Sequence, residues 1–137
     1  MDNEGNGILS TLKLSHCVFD ELKFVRKGFL AQSDPHEDQF QFSRRISKDN
    51  DGAYRVSLAV QVQRESEFDL SIAITGYFEI GEDDPNKGIL LEKNAVAILF
   101  PFLRAELTLL TAQPEMIPVV MPAVNIAAMF DNAKHEE

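Results

Sequence analysis

The chain is expected to be an α+β domain: a four-stranded antiparallel sheet with C-terminal helices packed on one of its faces. Three observations predict this. Through the first eighty residues apolar side chains recur at every second position, beyond residue 88 they recur at every third or fourth, and the turn-forming run Gly81-Glu82-Asp83-Asp84-Pro85-Asn86-Lys87-Gly88 separates the two regimes. Strands gathered first and helices afterwards place the helices on one side of the sheet.

The first strand is expected from about Thr11 to Lys27, where Leu12, Leu14, Val18, Leu22 and Phe24 share one parity while Phe19 and Val25 fall on the other. Such a mixed pattern marks a bent or bulged strand. Gly28 to Glu37 has few apolar residues and reads as a connection. Phe40, Phe42 and Ile46 mark a second strand, ending at the turn Lys48-Asp49-Asn50-Asp51-Gly52. The next two strands have the clearest alternation. Tyr54, Val56, Leu58, Val60 and Val62 oppose Arg55, Ser57, Ala59, Gln61 and Gln63; after a break at Arg64 to Glu67, Phe68, Leu70, Ile72, Ile74, Phe78 and Ile80 oppose Asp69, Ser71, Ala73, Thr75 and Glu79. The short break makes them an antiparallel hairpin, and Gly76, in the apolar register, predicts a bulge or a close approach by another element.

The helical pattern is carried by Leu91, Ala95, Ile98, Leu99, Phe102, Leu103, Leu107 and Leu110. Pro101 lies inside it, so the helix is expected to kink or split near Leu99, with Pro101 opening the second part. Pro114, Pro118 and Pro122 space out an extended segment from Glu115 to Val124. Asn125 is a candidate cap for a last helix, Ile126 to about Ala133. No composition break divides residues 1–137, which read as one domain with flexible ends at 1–8 and 131–137.

The 137 residues are 45% hydrophobic, enough for one core, and carry a formal net charge of −9. That balance excludes nucleic acid and anionic membrane surfaces as partners, since both need clustered cations, and favours a basic protein partner. A single cysteine, Cys17, allows no internal disulfide and fits a reducing compartment. The acidic N-terminus carries no apolar run, and no stretch approaches the roughly 20 consecutive apolar residues of a membrane span. The expected location is therefore the cytoplasm, without membrane insertion.

The search for catalytic chemistry finds no candidate set. His16, His36 and His135 have no second histidine or cysteine at ligand spacing, so no metal is expected. Lys48 to Gly52 resembles a calcium loop, but Leu58 falls where a bidentate acid is required, which leaves a hairpin turn. Cys17 and His16 are neighbours on a strand and point to opposite faces. Glu82, Asp83 and Asp84 fit a solvated turn ahead of a helix. No cofactor is implied. The reading is a binder of polypeptides, not an enzyme.

Three pieces of sequence carry a family resemblance: Ile98-Leu99-Phe100-Pro101-Phe102 followed by Arg104, Pro122-Ala123-Val124-Asn125, and Met129-Phe130, joined by the strand end Gly76-Tyr77-Phe78-Glu79-Ile80. In this order and spacing they resemble the SecB family of protein-export chaperones. The resemblance implies a homotetramer built as a dimer of dimers. It also implies ATP-independent holding of unfolded preproteins in apolar grooves and delivery to the SecA motor. The alternative is an adaptor of the same fold, or a chaperone dedicated to one partner such as an antitoxin. Carried over residue by residue, Phe68, Phe78 and Phe102 become candidates for the client groove, although Phe102 and Leu99 fit core packing at least as well. Glu21 and Asp69 become candidates for a SecA-facing acidic surface; Val25 stands where the family has a second acid, and Ser71 where it has a glutamate. The tail from Asp131 to Glu137 lacks the family's basic, cysteine-bearing extension. Phe19 or Val25, as apolar residues on the outward side of the first strand, suit an interface between copies. The crossover Gly28 to Gln39 offers only Phe29, Leu30 and Ala31 to roof a groove, which implies a narrow client range.

Overall fold

The computed structural model describes residues 11–28, 37–49, 52–121 and 130. Strands β1 (Lys13–Arg26), β2 (Asp38–Lys48), β3 (Tyr54–Arg64) and β4 (Phe68–Glu79) form one antiparallel sheet of order β1-β4-β3-β2. The β3–β4 hairpin is the centre of the sheet, and β1 and β2 are its two edges. Val56, Leu58, Val60 and Val62 of β3 and Phe68, Ile72, Ile74 and Phe78 of β4 are wholly enclosed on one face, as their alternation requires.

β1 is long and carries two bulges, between Leu14 and His16 and between Phe19 and Glu21. Each bulge reverses the parity of the residues that follow it. Leu14, Cys17, Phe19, Leu22 and Phe24 therefore stand opposite Phe78, Gly76, Ile74, Ile72 and Leu70, all on the inner face. This corrects the sequence reading at two positions. Phe19 faces the core and Val18, opposite Thr75, faces out; Val25, opposite Asp69, is outward as expected.

Gly76 is the close approach that its register predicted. A Cβ there would lie 2.7 Å from Phe78 Cε2 and 2.8 Å from Leu99 Cδ2, so the missing side chain lets the helix settle onto the sheet. The β3–β4 register runs through Gly76 without interruption. At the other end of the hairpin, Glu67 N–H donates to Arg64 C=O at 2.9 Å, and Ser66 takes a left-handed φ of 68°.

After the turn come α1 (Lys87–Ile89), a π-helical turn Leu90–Asn94, and α2 (Ala95–Thr111). Pro101 lies within α2, which runs unbroken from Ala95 to Thr111, so of the kink or split expected there the split does not occur. Pro101 and Ala97 are both exposed, so the carbonyl that loses its N–H partner faces solvent, while Leu99, Phe100 and Leu103 hold the buried stripe continuous. The helical irregularity lies upstream, in the π turn, whose Glu92 C=O accepts from Arg44 Nη1 at 2.6 Å. Ile98 and Phe102 are exposed where the sequence pattern had them inward, and Val96 and Phe100 take those places, the latter against Phe42 at 6.4 Å between ring centroids. The helical run Lys87–Thr111 is long and apolar enough to cross a membrane by length and composition, which the search for consecutive apolar residues missed; its buried stripe packs on the sheet.

The segment after α2 is non-helical, as its prolines predicted, turning at Pro114 and Glu115, and buries Met116, Val119 and Met121; the last part of the expected extended segment, 122–124, lies outside the described residues. The expected last helix and its Asn125 cap lie outside the described residues, apart from Phe130, which is buried beneath the Arg44 guanidinium at 4.9 Å. Gly76→Ala is expected to destabilise the fold by about 1–3 kcal/mol through overpacking, read as a lower urea midpoint with an unchanged slope.

Candidate functional site

α2 lies over the two central strands, β3 and β4. The inner faces of the edge strands are consequently open in part: Leu22 on β1 is 49% exposed and Phe40 on β2 is 38% exposed. Ile98, Phe102, Ala105 and Leu109 follow each other at intervals of four, three and four along α2, and all are exposed. This second apolar stripe lies beyond Leu99, which meets Gly76 and the β1 side, and away from Phe100, which packs on β2. The stripe is thus on the flank of α2 turned away from β2, and Leu22 is the exposed inward residue of the opposite edge strand, β1. Of the three groove residues named from the sequence, Phe102 presents surface at 46% exposure. Phe68 and Phe78 are enclosed: Phe68 packs on Phe24 with 5.5 Å between centroids, and Phe78 lines the contact of Gly76 with α2.

Phe68 belongs to a row that crosses the sheet: Arg26 on β1, Phe68 on β4, Arg64 on β3 and Asp38 on β2 are direct register partners. Arg64 is 1% exposed. It donates from Nε and Nη2 to Asp38 at 2.6 and 3.1 Å, and from Nη1 to Glu67 Oε1 at 3.1 Å and to Ile117 C=O at 2.7 Å. Burial works against its charge, and the hydrogen bonds and fields of Asp38 and Glu67 outweigh that, holding the guanidinium above its ordinary pKa. Arg26 donates to Pro114 C=O at 2.9 Å and Glu115 C=O at 2.6 Å, and lies 3.8 Å from Glu67 Oε2. Sequence reading took Arg64 to Glu67 for a plain turn. Parity held the missed signal, since Arg64 continues the inward series of β3 and Asp38 that of β2.

On the outer face, the structure brings Glu21 and Asp69 into one shallow depression of 390 Å³, lined also by Lys23, Val25, Gln61 and Gln63. Glu21 accepts from Ser71 Oγ at 3.3 Å; Asp69 pairs with Lys27 at 3.3 Å. Lys23 makes this surface mixed in charge. Further along the same face Thr75 donates to Asp20 and shares a 2.8 Å hydrogen bond with Ser57.

The other candidate groups are engaged in the fold. His16 stacks on Tyr77 at 4.5 Å on the outer face while Cys17 points inward, so the two diverge. Glu82 binds Lys87 at 3.0 Å and Lys48 at 3.4 Å, and the Lys87 hydrogen bond leads in holding its carboxyl below the usual range. Asp84 accepts from Asn86 N–H and Thr11 Oγ1, which lower its pKa in that order. Among the described residues no three His, Cys, Asp or Glu side chains converge on a metal position.

Among the described residues, a sheet of order β1-β4-β3-β2 carries a long helix across its two central strands, an α+β architecture. The model of the preprotein translocase subunit SecB family matches residues 20–137, and the chain belongs to that family. The solved structure of the Mycobacterium tuberculosis SecB-like chaperone Rv1957, in complex with a ChAD peptide from the Rv1956 HigA1 antitoxin, superposes with a TM-score of 0.66 at 13% identity, covering 83% of this chain and 91% of that one. A protein of unknown function from Streptococcus agalactiae superposes with a TM-score of 0.52 at 11% identity, over 84% of this chain and 99% of that one. In sequence, the uncharacterized protein MJ0357 of Methanocaldococcus jannaschii is 41% identical over 64 residues, which are 46% of this chain and 41% of that protein.

Arg64→Ala is expected to cost about 3–5 kcal/mol, because Glu67 and Asp38 lose their buried countercharge. Urea denaturation checks this.

Proposed function

We propose that this chain is a holdase, a chaperone that binds extended apolar segments of unfolded polypeptides without nucleotide and without catalysis. The observation that carries the reading is the open inner edge of the sheet, where Leu22 and the α2 stripe containing Phe102 leave apolar side chains uncovered in a member of the SecB family. Weak contacts spread over such an edge suit many extended sequences, because alternate side chains of a client can enter while its polar backbone stays at the rim. In this reading Phe102 is a client contact, and Phe68 and Phe78 support the floor on which the groove rests. The protein acts in the cytoplasm as a homotetramer.

The client range is the finer question. General export requires docking to SecA, for which Glu21 and Asp69 are the candidate contacts. A chaperone dedicated to one partner is the second reading, and Lys23 and Val25 favour it, because they dilute the acidic character of the depression that holds both acids. The antitoxin peptide bound by the Mycobacterium tuberculosis relative supports the same reading.

The purified protein is expected to delay aggregation of a reduced, unfolded client at stoichiometric ratio in the absence of ATP. Phe102→Asp, at an exposed position, is expected to keep the fold and weaken client binding by about ten-fold, or about 1.4 kcal/mol. No delay of aggregation by the native protein overturns the holdase reading. Light-scattering mass tests the tetramer. A SecA pull-down abolished by Glu21→Lys and Asp69→Lys together supports export, and the absence of SecA binding by the native protein supports a dedicated client.

A further inference from the structure

The segment Pro114–Met121 is bound to the rest of the chain as a peptide is bound to a receptor. It has no regular secondary structure, and side chains outside it read its backbone. Arg26 donates to Pro114 C=O and Glu115 C=O, Arg64 donates to Ile117 C=O at 2.7 Å, and Thr108 Oγ1 donates to Val119 C=O at 2.9 Å. Val119 N–H in turn donates to Thr111 Oγ1 at 2.8 Å. Between and beyond these clamped groups Met116, Val119 and Met121 are buried. Fixing carbonyls from outside while a few apolar side chains enter the receptor is how a peptide without regular structure is recognised without regard to most of its sequence.

The path of the segment says what it covers. Arg26 and Arg64 are the register partners of Phe68 on its two sides, and the clamped carbonyls run from Arg26 at residues 114 and 115 to Arg64 at residue 117. The segment therefore crosses above Phe68. It is held there against a local cost, since Glu115 has a left-handed φ of 60°, which a residue with a side chain takes up unfavourably.

We propose that Pro114–Met121 is a displaceable strap: it occupies a peptide site made of Arg26, Phe68 and Arg64, and an extended apolar segment of a client takes its place. This rests on the holdase reading and adds to it a second, closed site, distinct from the open edge at Leu22 and Phe102, that becomes available in proportion to strap opening. A site open only part of the time binds with an affinity reduced by its open fraction, so changes to the strap alone shift client affinity.

The test uses the full chain, a fluorescein-labelled peptide of residues 112–121 as the probe, and two variants confined to the strap. Met116→Ala loosens it and is expected to speed amide exchange across 115–121, leave β3 and β4 protected, and tighten peptide binding by about ten-fold. Glu115→Gly removes the unfavourable φ and is expected to slow that exchange and weaken peptide binding by about three-fold. Adding Arg26→Gln to Met116→Ala is expected to reverse the gain, because the guanidinium reads the incoming backbone as well. If Met116→Ala does not fold, Glu115→Gly carries the test alone. Peptide affinity that is indifferent to strap exchange overturns the proposal, as does strap exchange as slow as that of β3 in every variant. Aggregation suppression by the native protein, measured beside these, separates the two ideas: a holdase whose affinity ignores the strap loses only the strap. Strap-dependent peptide binding without aggregation suppression loses only the holdase.

Discussion

Burying the Arg64 guanidinium constrains the fold more than any other single contact. A charge without water costs several kcal/mol unless it is paired and its donors are used. Here the partners come from four parts of the chain: Asp38 at the start of β2, Glu67 in the β3–β4 turn, Arg26 at the end of β1 acting through Glu67, and the Ile117 carbonyl beyond α2. Each ties a different part of the chain to the guanidinium or to its partner Glu67. The network therefore selects one register for three strands and one path for the segment that follows the helix. A shift of one residue in β3 would put the arginine on the outer face and leave the enclosed Glu67 with only Arg26, 3.8 Å away, as countercharge, so register is enforced by electrostatics at this end as well as by the apolar alternation.

How far the sequence discloses this structure depends on how many residues carry the same periodic signal. β3 and β4 repeat their alternation five or six times with little interruption, and the hairpin, its register and its buried face follow from that pattern alone. β1 carries the same information, but two inserted residues break it into three pieces of differing parity. The individual positions Phe19 and Val18 are legible only once the partners on β4 fix where the bulges fall. Whether Pro101 would split the helix was undecided for a related reason: the cost of the freed carbonyl depends on its exposure, and that is a property of the packed helix. The acids of the 81–88 turn were read correctly as turn chemistry, since their partners Lys87 and Asn86 lie within a few residues. Arg64 was missed because its partners are distant in sequence, although its parity placed it inward.

The open edges have a geometrical origin. Four strands spaced about 4.8 Å apart make a sheet wider than one helix of roughly 10 Å diameter can cover. A single α2 must leave part of the inner face bare unless something else covers it. The chain centres α2 on β3 and β4, where every inward residue is enclosed, and the bare area falls on β1 and β2. There Leu22 and Phe40 are apolar and part-exposed. The candidate site was legible in the sequence only as far as its helix: Phe102 could be named, but whether it or Phe68 lay at the surface depended on how much of the sheet one helix covers.

The two kinds of apolar surface in this chain differ in what they demand of a ligand. At the open edge the contacts are side chain to side chain, on Leu22, Phe102 and the rest of the α2 stripe, and they reward apolar composition. Beneath Pro114–Met121 the polar contacts are from guanidinium and hydroxyl donors to backbone carbonyls, which every residue possesses. A carbonyl reader set beside apolar pockets distinguishes an extended segment from a folded one, because helices and sheets have already committed those carbonyls to their own N–H groups. Discrimination by backbone availability rather than by sequence is the property that a chaperone for unfolded chains requires. In this protein the arginines that could supply it are the same ones that lock the register of the sheet, which ties the site to the fold.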